Sequence, residues 1–329
     1  MKQFLRPKGK GQGGVTLIEL MIAMVLGLLL ILGLSNVYLA QRQSFRVNDN
    51  LARMQDNARI AFELMARELR EAGGNACGTP VVKDLISGPG GTHISEWNVG
   101  GVQGYGPNST LPGVATGNAT AQRVANTDAL MIRTGSLGTQ LIISSYDPST
   151  AEFKLSAPPV SVDVGDVLMA CDYRQAAILE VASKSDVNSS IVHTTTAGEV
   201  VNLEGNGFLS PMLVTRWYIG NNARGGRSLF RAQNGKPPQE VAEGVVAMEL
   251  RYLTRTGTSP DSYRSASDIE SLGTTAPWGN AATRLVIAVR VVLGLESLAA
   301  VGTDAANSSA VLKRQLVHLV SLRHREALQ

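Results

Sequence analysis

The sequence predicts an α+β protein: a long N-terminal helix, packed on a β-rich C-terminal domain. Three observations carry this. Residues Val15 to Ala40 form one apolar run, VTLIELMIAMVLGLLLILGLSNVYLA. No proline interrupts the chain between Pro7 and Pro80, and Leu51, Met54, Ala58, Ala61, Met65, Leu69 and Ala72 recur at steps of three and four, the spacing of one helix face. Beyond Gly117 the chain breaks into short β-like runs separated by turns.

The first element is a basic leader, residues 1–14, with Lys2, Arg6, Lys8 and Lys10 and no acid. The apolar run of residues 15–40 follows. As a helix it spans about 39 Å at ~1.5 Å per residue, enough for a bilayer core of ~30 Å. It is too long for the ~7–15-residue apolar core of a cleavable secretory signal. The basic flank comes first, so the positive-inside rule keeps it in the cytoplasm and sends the remaining chain across the inner membrane. Residues 41–73 continue the helix on the far side. Glu63 and Arg67 form a favourable i,i+4 pair on its polar surface, and Gly73-Gly74 supplies its stop. The apolar stripe covers only about three heptads, which favours packing on the protein's own domain over a free coiled coil.

Residues 74–329 make up the β-rich domain. Gly73 to Gly117 is rich in Gly, Pro, Ser and Asn and reads as a long loop region. The β-like runs are Ala129–Thr134, Leu141–Ser145, Ala151–Leu155, Val167–Cys171, Ala177–Val181, Met212–Ile219, Leu229–Gln233, Val245–Thr254 and Arg284–Leu295. In the last, Leu285, Ile287, Val289, Val291 and Leu293 alternate onto one face. Asn234-Gly235 is a hairpin-type turn. The tail from Val311 to Glu326 admits helix or strand. A strand over Lys313–Arg323 is the preferred reading, with Ser308-Ser309 as a cap for the alternative.

Composition excludes several function classes. The chain has 329 residues, 44% hydrophobic and 17% charged, with 2 Cys and 4 His. It is neither a disordered polyelectrolyte nor a disulfide-dense scaffold. The net charge of +3 comes from the leader, so the main body offers no case for nucleic acid. Gly9 to Gly14 contains a literal G-x-G-x-x-G, but no strand precedes it. No Walker A, G-x-S-x-G or H-E-x-x-H motif occurs, and Gly257-Thr258-Ser259-Pro260 is a turn. Asp163 and Asp166 flank Gly165 without completing a calcium loop. His93, His193, His318 and His324 lack metal-ligand spacing. Arg216-Trp217-Tyr218 reads as a strand, with a recognition patch as the alternative. Lys313, Arg314, Arg323 and Arg325 fit a solvated edge strand. The reading is a non-enzyme without cofactor or metal. Cys77 and Cys171, both beyond the membrane, are expected to form one disulfide, with two free thiols as the alternative.

One residue does not fit a plain anchor. Glu19 stands inside the apolar run, where a carboxylate costs on the order of 3 kcal/mol. It belongs to the string Gly14-Val15-Thr16-Leu17-Ile18-Glu19. With the basic leader and the apolar helix, that string resembles the class III signal of type IV prepilins and pseudopilins. The resemblance implies cleavage between Gly14 and Val15 by a prepilin peptidase, N-methylation of Val15, and a subunit-docking role for Glu19. It also implies a helix whose second half lies across a β-sheet. Val15 stands where the family usually has Phe, and Gly33, Ser35 and Asn36 replace the helix-kinking Pro of many major pilins.

The C-terminal runs EVAEGVVAMELRYL, RLVIAVRVVLGLES and LVSLRHR resemble the endings of PilW-type minor pilins and of the J-type minor pseudopilin of type II secretion. The resemblance implies a minor pilin that joins a minor-pilin complex, primes type IV pilus assembly and sits at the pilus tip, serving adhesion and twitching motility. Expected partners are the prepilin peptidase, other minor pilins, the major pilin and a large PilY-type tip adhesin. The alternatives are the J-type pseudopilin and, in another class, a bitopic inner-membrane protein with a periplasmic binding or enzymatic domain.

Overall fold

The computed structural model describes residues 14–74, 76–77, 82–86, 100–135, 138, 140–172, 174–194, 207–233, 236–257, 259–272, 278–279, 284–298 and 311–323. The leader 1–13, His93, Ser308-Ser309, Asn234-Gly235, His324 and Arg325 lie outside them.

Helix α1 runs from Leu17 to Glu71 without a break, as the absence of proline predicts. Its first half is exposed on all sides, and its second half buries Met54, Ala58, Ala61, Met65, Ala66, Leu69 and Ala72. That is the predicted stripe, with Leu51 only half-buried at its start. The expected Glu63–Arg67 pair is not formed; Glu63 instead takes Arg59, 2.9 Å away, also at i,i+4 spacing. Gly73, at φ +74°, ends the helix. Its N–H donates to Arg133 O, and Gly101 approaches so closely that a Cβ there would stand 2.0 Å from Gly73 N.

Fifteen strands follow in the described residues: β1 (Val82–Asp84), β2 (Val102–Tyr105), β3 (Ala129–Gly135), β4 (Leu141–Asp147), β5 (Glu152–Leu155), β6 (Val167–Cys171), β7 (Ala176–Ser185), β8 (Ser190–His193), β9 (Phe208–Asn221), β10 (Arg227–Gln233), β11 (Gln239–Glu243), β12 (Val245–Thr256), β13 (Ser259–Arg264), β14 (Arg284–Glu296) and β15 (Lys313–Ser321). All nine predicted runs are strands. The long loop expected from Gly73 to Gly117 holds β1 and β2; at three and four residues they are too short to show a period. Strands β8, β11 and β13 and the short helix α2 (Ala266–Glu270) were also unpredicted. α2 opens on a capping box between Ser265 and Asp268.

The strands form three connected modules. Strands β2, β3, β9, β10 and β11 lie side by side, all antiparallel. Strands β13, β12, β14 and β15 make a second antiparallel sheet. In this sheet the register shifts opposite Leu253 and Thr254, so the buried face passes from Val286 to Val289 and Ile287 becomes the extra residue of a bulge. The expected alternation of Leu285 and Ile287 with Val289 is corrected accordingly: Leu285 and Ile287 are half-buried, and Val286 takes their place in the core. The tail is a strand, ending at Ser321. Helix α1 and the inner faces of both sheets share one core, centred on Met65, Leu69, Trp217, Leu250, Tyr252, Val289 and Val291.

The third module lies between β3 and the main run of β9. Pairing proceeds β9–β4–β5–β8–β7–β6 and returns to β9, each pair antiparallel. These six strands therefore close into a small barrel. Ile143, Phe153, Leu155, Leu168, Leu179, Val181, Ile191 and Leu209 fill it, as expected for a barrel too narrow to hold a ligand. β9 belongs to both the barrel and the five-stranded module.

Candidate assembly site

The N-terminal end of α1 is built by a capping box. Thr16 is the N-cap, with extended backbone. Its side chain accepts from Glu19 N at 3.4 Å. In return, Glu19 Oε2 accepts from Thr16 N and from Thr16 Oγ1, both at 3.0 Å. The Thr-x-x-Glu spacing thus satisfies two donors that a helix start leaves open. Gly14 and Val15 precede this cap. Val15 is 74% exposed, and a Cβ on Gly14 would meet nothing within 4 Å. Among the described residues nothing demands glycine at that position.

From Val15 to Leu39 the large apolar side chains stand exposed around the whole helix. A helix apolar on all sides needs an apolar surround, and this one is long and apolar enough to cross a membrane.

The second half of α1 is locked to the domain by polar groups that the sequence reading missed. Glu68 lies beside the apolar stripe. Trp217 Nε1 donates to Glu68 Oε2 at 2.6 Å, and Arg231 pairs with Glu68 Oε1. Burial pushes the Glu68 carboxyl above its ordinary range, against the pull of Arg231 and Trp217. The available signal was a charged residue adjoining Met65 and Leu69 on a face otherwise apolar. Lower on the helix, Asn57 Nδ2 donates to Glu243 O at 3.0 Å. Gly73 meets Arg133, which pairs with Val214. The order Asn57, Glu68, Gly73 on α1 thus matches a path from the end of β9 toward its start, so α1 and β9 run in opposite directions.

Arg216, Trp217 and Tyr218 are all buried, which excludes a recognition patch. Arg216 Nε donates to Pro112 O at 2.5 Å. Buried Arg123 donates to Ser109 O, Gly106 O and Thr127 O. Arginines thereby hold the irregular segment before β3 through its carbonyls. Burial lowers the pKa of both.

Cys77 and Cys171 are joined in a disulfide with Cα atoms 5.1 Å apart, tying the segment after α1 to β6 of the barrel. His193 is buried, 2.9 Å from Tyr146 Oη through Nε2 and 2.8 Å from Thr194 O through Nδ1; burial lowers its pKa. His318 stacks on Phe62 of α1 at 3.5 Å. Asp166 accepts from Asp163 N in a turn. Among the described residues no group of three metal-type side chains assembles. Lys313 pairs with Glu296 at 3.0 Å on the edge strand β15. An open cleft of about 580 Å³ is lined by Asn222, Arg224, Glu243, Val246, Glu296 and Leu298, and its Arg224 is engaged by Glu240 and Glu243.

Residues 9–35 match the prokaryotic N-terminal methylation motif. Residues 216–325 match the family described as type IV pilus-assembly protein W. These are the family signatures of a type IV minor pilin. They are the signatures of a structural pilus protein, and the pilin motif with its exposed apolar helix points to a membrane-anchored one. The first match covers the capping box and most of the apolar run; the second covers the end of β9 and everything from β10 to β15. The barrel lies between the two matches. Comparison with curated proteins and with solved structures finds no match.

Proposed function

We propose that this minor pilin is cut between Gly14 and Val15 by a prepilin peptidase, methylated on Val15, and assembled through Glu19 into a complex of minor pilins that primes a type IV pilus. Residues 1–14 are then the leader, 15–40 the membrane-spanning half of the helix and 41–73 its periplasmic half. Residues 74–329 form the domain carried in the periplasm and, after assembly, at the pilus tip, in contact with the major pilin and a large tip adhesin. Adhesion and twitching motility are the processes served.

The observation that carries this reading is the carboxylate at the start of an unpartnered apolar helix. Glu19 lies one turn from the amine that cleavage would free. In an apolar bundle neither charge is tolerable alone, so pairing a neighbour's amine with Glu19 fixes subunit register. The open space around Gly14 supports a requirement imposed from outside the fold, as a peptidase subsite would impose it. Mass spectrometry of the membrane-extracted protein tests the reading. The expected N-terminus is N-methylated Val15; a mature chain retaining Lys2 to Lys10, or beginning beyond Ala40, overturns it.

A further inference from the structure

The β5–β6 connection closes one end of the barrel as a lid. Val162 points inward and is fully buried among the barrel side chains. Two positions to either side, Val160 and Val164 point out, 75% and 62% exposed, and Val187 at the tip of the β7–β8 hairpin is 96% exposed. β-branched apolar residues are poor turn formers, and tips of this kind ordinarily carry Gly, Asn, Asp or Ser.

The two loops are braced together. Lys184 Nζ stands 3.5 Å from Pro159 O, 3.5 Å from Asp163 and 3.9 Å from Asp186. Ser189 O accepts from Leu155 N at 2.7 Å. The valines therefore sit on a platform already ordered, with exposed Asp163 and Asp186 on its rim.

Charge and direction indicate what covers it. The lid itself carries three acids, Asp163, Asp166 and Asp186, against one base, Lys184. The acidic lid needs a basic-rimmed partner. β6 begins at the lid and is antiparallel to β9, so β9 leaves the barrel on the lid side. Since α1 opposes β9, the lid is directed back toward the N-terminal half of α1. In an assembly of subunits anchored by such helices, that is where the next subunit follows.

We propose that Val160, Val164 and Val187, within the Asp163 and Asp186 rim, dock a neighbouring pilin subunit of a different kind, one offering an apolar hollow edged by Lys or Arg. This rests on the pilin reading above, but adds a contact that neither family signature covers.

A photo-crosslinking side chain placed at Val187 or Val164 of the full-length protein, in cells assembling pili, tests it. A matching probe at Phe45, exposed on α1, serves as reference. The expected product at Val187 and Val164 is a covalent pair with another pilin, identified by mass spectrometry. Asp163→Lys with Asp186→Lys should lower its yield about tenfold while the Phe45 product persists, since rim charges steer encounter. Val160→Ser with Val164→Ser, probed at Val187, is the second variant, and retention of the Cys77–Cys171 bridge reports the barrel's integrity. A Val187 product with a second copy of this chain, or with a non-pilin, overturns the proposal. So does a Phe45 product with no Val187 product, which leaves the pilin reading standing. Absence of pilin products at all positions removes both.

Discussion

Trp217 and Glu68 are bonded across the boundary between helix and sheet: the indole of β9 donates to the carboxylate of α1 at 2.6 Å, beneath a fully buried ring. Glu68→Ala strands both that indole and Arg231. The expected loss is about 3 kcal/mol, the usual cost of breaking a buried charged pair. Glu68→Gln keeps an acceptor for Trp217 and should lose about half as much. Thermal unfolding of the full-length protein in detergent, followed by tryptophan fluorescence, measures both.

The same carboxyl sets a pH dependence. Its folded-state pKa is raised, chiefly by burial, so the folded chain holds a proton that the unfolded chain releases. The resulting stabilisation is full below the unfolded value, about 4.3, and is lost as pH rises through the folded one. Asp128, raised mainly by burial, acts in the same direction. Melting scans across that window should show stability falling with rising pH, less steeply in Glu68→Gln; an unchanged slope removes Glu68 as the source.

Breaking the disulfide by Cys77→Ser with Cys171→Ser should destabilise the protein. A sequence separation of 94 corresponds to about 4–5 kcal/mol by chain entropy, an upper figure, with 2–4 kcal/mol more usual. Labelling of the denatured, unreduced wild type should find no reactive thiol.

Gly101→Ala and Gly14→Ala should part company. At Gly101 the new Cβ would fall 2.0 Å from the backbone of Gly73, so the helix end must shift, at a cost of several kcal/mol. At Gly14 the fold should be untouched. A bulkier residue there, Gly14→Val, should leave the melting temperature unchanged yet retain the leader, as gel mobility and N-terminal mass will show.

Glu19→Ala should insert and be cleaved, yet fail to retain partner pilins on co-purification. A docking loss of about 3–5 kcal/mol for a buried charge left alone is on the order of a thousandfold. Glu19→Asp should be intermediate. Wild-type recovery of partners with Glu19→Ala would leave the carboxylate without a docking role.

The long helix was legible because its two signals, an apolar run and a 3–4 stripe, extend over many residues without a proline. The strands with sustained runs of Val, Ile and Leu were legible for the same reason. β1, β2 and β8, three or four residues long, were not; β5 is as short, but its Phe153 and Leu155 alternate with charged Glu152 and Lys154. The barrel was hidden more deeply: its closure depends on Phe208 and Leu209 of β9 pairing on both edges, and pairing partners distant in the chain leave no local trace. At the candidate assembly site, Gly14, Val15, Thr16 and Glu19 lie within six positions and could be read as a string. Glu68, Trp217 and Arg231 are separated by up to 163 residues and meet only in the fold.

The disulfide shortens the route by which tension crosses the molecule. A pull on the barrel, resisted by α1 in the membrane, would otherwise have to pass through the hydrogen bonds of β3 and β9, or along the chain through every strand between. With Cys77 bonded to Cys171, the last turn of the helix connects to the barrel wall by the six residues from Ala72 to Cys77 and one covalent bridge, a tether of about 20 Å at ~3.3–3.6 Å per residue. Load then runs along bonds that do not unzip. The sheets are spared, and a subunit held at one end and dragged at the other keeps its shape.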